Sequence, residues 1–357
     1  MIEHRFQVFG LLLLLTCIRQ SVTFAADYNL KLHHSLPPVA PAHRAMLVPW
    51  ARNVEQQSGG RISITIYPSA QLGGQGPQLI DQVRDAVVDI VWTLTGYTPG
   101  RFPRVEVFEM PFLNMDPVTM NLALRDFVRR HPEEFNEYKL IAAFVHAGQA
   151  LHALQPLRTV DDFRGKRIRV PSRVGSWIVS AMGAVPIGTP VSKVPEMISK
   201  GVIDGAMLPF EVVQAVKVDE LLDYHMVLER PVSDRFHNQV FVIAMNLDRY
   251  ESLPKDLREV IDRNSDEDTA RWLGKLWADA ETPGLELAAS SGEIIRLPAD
   301  QVKRLREMVE EPVLSRWFNE VAKHGLDGPA LLAEARALLE ARLVSEPYPA
   351  QIGRTGP

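Results

Sequence analysis

Phe163-Arg164-Gly165-Lys166-Arg167-Ile168-Arg169-Val170-Pro171-Ser172 is the stretch on which the fold turns. Residues 166–170 read as a strand that Pro171 ends, because proline has no N–H to give to a ladder. Residues 175–182 and 191–200 follow as amphipathic helices, the second ended by Gly201, and residues 203–207 as another strand. A strand, helices and a strand in that order is the unit of a layered α/β sheet.

Working outward, the same alternation recurs on the N-terminal side. Residues 28–34 form a strand. Residues 41–58 form a helix with a kink expected at Pro49, and Gly59-Gly60 stop it. Residues 61–67 alternate Ile62, Ile64 and Ile66 against Ser63 and Thr65, a strand period. Residues 77–88 and 117–130, the latter opened by Asp116, are helices; residues 89–94 and 140–145 are strands. Towards the C-terminus, residues 224–228, 240–246 and 293–297 read as strands among long charged helices that dominate from Pro254 onward. This alternation predicts parallel sheets with helices on both faces.

At 357 residues, 46% apolar and 23% charged, the chain is long enough for two cores. A net charge of -5 gives no basic footprint for nucleic acid. No glycine- or proline-rich linker separates two halves, so the lobes are expected to share strands or exchange the chain more than once.

The N-terminus carries His4 and Arg5, an apolar run over residues 6–18 with five consecutive leucines, and small residues over 21–26. That is the layout of a secretory leader cleaved after Ala25 or Ala26, shorter than the roughly 20 residues of a membrane span. Cys17, the only cysteine, lies inside it, so the mature chain has no disulfide and no thiol nucleophile. Leu14-Leu15-Thr16-Cys17 loosely resembles a lipobox, but Thr16 suits that site poorly and plain export is the better reading.

Ligands of open α/β sheets bind beyond the carboxyl ends of strands. The residues there are Ser35 and Leu36; Trp92, Thr93, Thr95, Gly96 and Tyr97; residues 146–152, including His146, Gln149 and His152; Arg169; and Pro209, Phe210 and Glu211. Arg169 stands between Ile168 and Val170, where a sheet buries aliphatics, and a permanent charge there demands an anion. A guanidinium offers paired N–H donors that match a carboxylate, a fork lysine cannot copy. Two readings fit: a ligand carboxylate, or an internal ion pair with Asp161 or Asp162. Trp92, Tyr97 and Phe210 suit an apolar pocket or simply a core.

Enzyme and metal chemistry find little support. The His33-His34-His43 and His146-His152 groups lack zinc spacing. Gly73-Gly74-Gln75-Gly76 lacks the ending of a phosphate-binding loop, and Gly175-Ser176 is not set in a nucleophile elbow. No cofactor is expected.

Four motifs in order, spanning nearly the whole mature chain, carry a family resemblance. Residues 58–73, from Ser58-Gly59-Gly60-Arg61 through Tyr67-Pro68-Ser69-Ala70-Gln71-Leu72-Gly73, are similar to the opening segment of the solute-binding proteins of tripartite ATP-independent periplasmic (TRAP) transporters. The quoted stretch 163–172 resembles that family's central strand, and Gly201-Val202-Ile203-Asp204-Gly205 with Pro209 its next one. Gly96-Tyr97-Thr98-Pro99-Gly100-Arg101-Phe102-Pro103 fits a branch of the family.

The resemblance implies a two-lobed α/β periplasmic-binding-protein fold with a hinge, a long connecting helix and a ligand cleft between lobes. Its expected division is a leader at 1–26, a first lobe of 27–147 plus 239–282, a second of 148–238 plus 283–350, and a tail at 351–357. It implies a periplasmic, monomeric receptor, not an enzyme, that passes a small organic acid to small and large TRAP membrane subunits. Arg169 then occupies the position of the arginine that pairs with the substrate carboxylate. Phe210, Trp92, Thr93, Gln149, Glu211, Leu36, His146 and Leu208 surround the ligand. The sialic-acid-binding members have an arginine near Gln149 and an asparagine at Leu208, so a less polar monocarboxylate is expected, an aromatic or 2-oxo acid. The other classes in view are a binding protein of an ATP-driven transporter and a periplasmic enzyme acting on carboxylates.

Overall fold

The computed structural model describes residues 26–229 and 233–345. Residues 1–25 of the expected leader, with Cys17, and the tail lie outside the described residues.

In chain order the first half runs β1 (Tyr28–His33), α1 (Val48–Gln57), β2 (Ile62–Tyr67), α2 (Gly76–Arg84), β3 (Ile90–Leu94), α3 (Pro117–Arg130) and β4 (Tyr138–Val145). Then come β5 (Ala150–Ala153), β6 (Arg167–Val170), α4 (Arg173–Ala181), β7 (Val185–Gly188), α5 (Val194–Ser199), β8 (Gly205–Leu208), α6 (Phe210–Val213) and β9 (Tyr224–Leu228). The chain finishes with β10 (Val240–Asn246), α7 (Leu247–Glu251), α8 (Lys255–Arg263), α9 (Glu267–Ser291), β11 (Glu293–Leu297), α10 (Ala299–Ala322) and α11 (Gly328–Ser345).

The strands form two sheets, and with their helices these are the two lobes: β2-β1-β3-β10-β4 in the first and β11-β9-β5-β8-β6-β7 in the second. Neither sheet is purely parallel, contrary to the expectation from alternation. In the first, β1 runs parallel to β2 and β3, but β10 is antiparallel to β3 and β4. In the second, β5 is antiparallel to β8 and β9. The reason is connectivity: β5 and β10 are the strands on which the chain arrives after crossing between lobes. A strand delivered from elsewhere is not tied to the helical crossover that makes its neighbours parallel.

Local chemistry accounts for the elements. Asp116 caps α3, accepting from the Thr119 N–H at 2.9 Å. Pro49 falls in the first turn of α1, and the expected kink takes the form of a wide π-helical stretch, Ala42–Leu47, just ahead of it. The sequence reading omits β5 and β7. β7 holds Pro186 and lies at the sheet edge, where a missing N–H is tolerated.

The 25-residue α9 binds the lobes together, packing on α3 in its first half and on α6 and β11 in its second. Two glycines permit this. A Cβ at Gly274 would stand 2.5 Å from the Val118 Cα, and one at Gly284 would collide with the Phe210 carbonyl. Beyond it, α10 lies on α4, and α11 on both α3 and α10, so the last helices touch both sides of the expected division.

Candidate ligand-binding site

Where β3, β4 and β10 of the first sheet face β6 and β8 of the second, they enclose a cavity of about 50 Å³. A single water needs roughly 10–15 Å³, so the space suits a small molecule. Of the residues expected around a ligand, the structure brings Arg169, Trp92, Thr93, Gln149, Glu211, Leu36, His146 and Leu208 to its lining. Phe210 is not there. It is fully buried behind the wall, its ring 5.0 Å from that of His152 and 5.0 Å from the Arg235 guanidinium carbon.

Arg169 ends β6 and is 2% exposed. Its Nε donates to the Thr189 carbonyl oxygen at 2.9 Å and its Nη1 to that of Met207 at 3.0 Å. Two neutral acceptors aim the guanidinium without neutralising it. Burial pushes its pKa below the ordinary arginine range, the Tyr97 phenol opposing. The acids that could have paired with it are engaged elsewhere. Asp161 holds Arg304 at 2.8 Å, and Asp162 accepts the backbone N–H groups of Arg158 and Thr159 at 2.9 and 2.8 Å. Among the described residues no carboxylate pairs with Arg169.

The facing wall is aromatic. Trp92 and Phe241 stack with centroids 5.5 Å apart and planes 11° from parallel. Phe241 continues to Trp277 at 6.4 Å and 12°, with Phe144 behind both. The ring planes share one orientation, so a planar ring entering the cavity can stack on them. The indole N–H groups of Trp92 and Trp277 are buried without partners among the described residues.

His146 and Gln149 supply a further donor. Burial lowers the His146 pKa to about 3, so the ring is neutral. Its Nδ1 accepts from the Gly148 N–H at 2.7 Å, which leaves the proton on Nε2. That Nε2 lies 3.0 Å from the Gln149 amide nitrogen, a donor facing a donor. Exchanging the amide N and O gives His146 its acceptor and turns an N–H group to the position now unpartnered. Thr93, by contrast, spends its hydroxyl on the Gly76 carbonyl at 3.2 Å. His34 and His152 are not lining residues. His34 is paired with His43 at 2.9 Å, and His152 with His225 at 2.8 Å.

The sequence reading of the site omits Phe241 and Trp277. Phe241 sits in β10, where every residue is buried and apolar or capping, so nothing marks it out from core. Trp277 lies on a helix that reads as a surface element. Only arrival after the second crossing, and the turn of α9 over the cleft, bring them to the cavity.

The chain matches the family described as bacterial extracellular solute-binding protein, family 7, over residues 32–320. A TRAP solute-binding protein from Rhodoferax ferrireducens T118, solved with copurified benzoate, is 36% identical. The match covers 89% of this chain and 99% of that one, with a TM-score of 0.86. A second, from an unidentified microbe of a marine metagenome and described as specific for aromatic acid ligands, is also 36% identical at TM-score 0.85, covering 88% and 99%. It was solved with metahydroxyphenylacetate and with 3-hydroxybenzoate. The outer membrane transporter protein TsaT of Comamonas testosteroni is 23% identical over 317 residues, 88% of this chain and 92% of that protein.

Proposed function

Because the chain belongs to bacterial extracellular solute-binding protein family 7, and is a TRAP solute receptor for small acids, we propose that its solute is an aromatic monocarboxylate held by Arg169. The observation that carries this is a buried guanidinium with only neutral acceptors, opposite the parallel rings of Trp92, Phe241 and Trp277. A carboxylate supplies the charge the guanidinium lacks, in the bidentate geometry that arginine favours. The apolar body then stacks on the rings. The unpartnered indole N–H groups of Trp92 and Trp277, both lining residues, are further donors suited to an anion. The benzoate and hydroxyaromatic acids named for the two 36%-identical structures are of this class.

Family members are solute-binding receptors rather than enzymes. The cycle is capture without chemistry: ligand contacts both lobes only when they close, so it shifts the population towards the closed form. That form, a periplasmic monomer divided into lobes as expected above, is what the membrane subunits receive.

A thermal-shift screen tests the solute class, since a ligand of the folded state raises the melting temperature. Benzoate and phenylacetate are expected to raise it by several degrees, and succinate and N-acetylneuraminate not to. A larger shift with either of the latter two overturns the reading.

A further inference from the structure

Beside the cavity, one buried guanidinium pairs with two carboxylates and leaves a third without a partner cation. Arg235 pairs with Asp234, and its Nη2 and Nε donate to Glu281 at 2.8 and 3.2 Å. Glu281 also accepts the backbone N–H groups of Phe210 and Glu211, both at 3.3 Å. Glu281 is therefore fully partnered and fixed by α9 against the first turn of α6.

Glu211 is the third carboxyl. The charged and titratable groups around it are Glu281 from α9, Arg235 from the crossing segment, Arg169 and neutral His146 on the cavity lining, and Arg44, Lys275 and Asp279 on a second, outer pocket that Glu211 also lines. It has no guanidinium of its own: Arg235 is committed to Asp234 and Glu281, and Arg169 to the Thr189 and Met207 carbonyls. Burial first, and the charge of Glu281 second, raise its pKa well above the carboxylate range. Two adjacent carboxylates do not both ionise in a dry site. Glu211 thus presents a neutral carboxyl to the cavity, and its Oε2 is buried without a partner among the described residues.

The carboxyl proton is shared in a hydrogen bond with Glu281, which leaves the unpartnered Oε2 as an acceptor for a ligand hydroxyl. Trp277, one turn before Glu281 on α9, brings an unpartnered N–H to the same lining. A second ligand carboxylate would instead meet the charge of Glu281, its only nearby cation already shared. We infer that Glu211 is a specificity residue pairing with a hydroxyl on the ligand, so that the preferred solute is a hydroxylated aromatic monocarboxylate and dicarboxylates are refused. This rests on the aromatic-acid reading above.

Titration calorimetry of the mature protein with benzoate, 3-hydroxybenzoate, 4-hydroxybenzoate and isophthalate tests it. The better hydroxybenzoate is expected to bind at least about tenfold more tightly than benzoate, because a site built to bond an OH penalises its absence. Isophthalate is expected to bind more weakly than benzoate. Glu211→Leu should reduce the hydroxyl preference to less than about threefold, and Glu211→Gln, which keeps a donor and an acceptor, should retain most of it. A wild-type preference below about threefold, or a preference that survives in Glu211→Leu, overturns the inference. The wild-type ratio decides even where a variant fails to fold. Tight benzoate binding with no hydroxyl preference overturns the role of Glu211 alone. Failure of benzoate and both hydroxybenzoates to bind overturns the aromatic-acid reading and this inference with it.

Discussion

Arg169 donates to the Met207 carbonyl oxygen across 3.0 Å, a bond between neighbouring strand ends that orients a charge and leaves it uncompensated. Burying a cation beside neutral acceptors costs stability, and a ligand carboxylate offsets that cost. Under the proposed function, the energetics of the ligand-free protein and of binding are coupled through this one side chain.

Arg169→Met is expected to lower affinity for the aromatic acid at least about 100-fold, since each charged hydrogen bond contributes about 1.5–3 kcal/mol. The ligand-free protein should melt at the same temperature or higher, because a desolvated charge is replaced by an apolar chain of similar length. Arg169→Lys should bind poorly as well, keeping charge but losing the fork. Calorimetry and thermal unfolding read both arms. Affinity within about threefold of wild type, or a ligand-free melting temperature lower by more than about 5 °C, would mark Arg169 as structural.

Tyr97 follows β3 in the first lobe, and its hydroxyl accepts the N–H of Val191 in the second at 3.3 Å. This bond spans the cleft beside the cavity, so under the proposed capture cycle it would form as the lobes close. Tyr97→Phe removes this neutral hydrogen bond, about 1 kcal/mol, and with it the hydroxyl's bond to the Arg169 guanidinium. The dissociation constant should rise at least roughly fivefold, with the order of preference among ligands retained. A change of less than about twofold would show that the bond does not contribute to the ligand-holding state.

These contacts also show how far the sequence could be read. Asp116 before Pro117 announces α3 to the residue, because a cap is a local bond. Arg169 is legible because a charge within an apolar run contradicts its surroundings. β5 is not: Ala150-Leu151-His152-Ala153 carries four residues and no alternation, and it exists because β8 and β9 offer it free edges on both sides. Phe241 and Trp277 are hidden for a related reason. Their positions are core-like by pattern, and the cavity they line is created by lobe packing that no local period encodes. Phe210 shows the opposite failure, a strand-end position whose side chain turns into the interior.

The buried histidines set the response to pH. Burial lowers His34, His146 and His152 to about 3, and His225 and His237 to about 4. Below about 6.5 the unfolded chain protonates these rings while the folded one does not. The unfolded state then binds more protons, so stability is lost as pH falls from about 6.5 towards 4. Each ring contributes on the order of 1 kcal/mol per pH unit in that window, a large effect beside an ordinary folding free energy of roughly 5–15 kcal/mol. Glu109 acts with the opposite sign. Burial, then the charge of Glu106, raises it to about 8, so between about 4.5 and 8 the folded chain holds the extra proton and stability declines as pH rises. The melting temperature should therefore peak near pH 6.5, fall steeply on the acid side and slope gently on the alkaline side. Glu109→Gln, which retains an acceptor for the Val240 N–H, should flatten the alkaline slope and, by removing the opposing contribution, steepen the acid one. Calorimetric scans from pH 4.5 to 8 provide the check: a melting temperature that stays level between pH 4.5 and 6.5 would mean that these rings are already protonated in the folded protein.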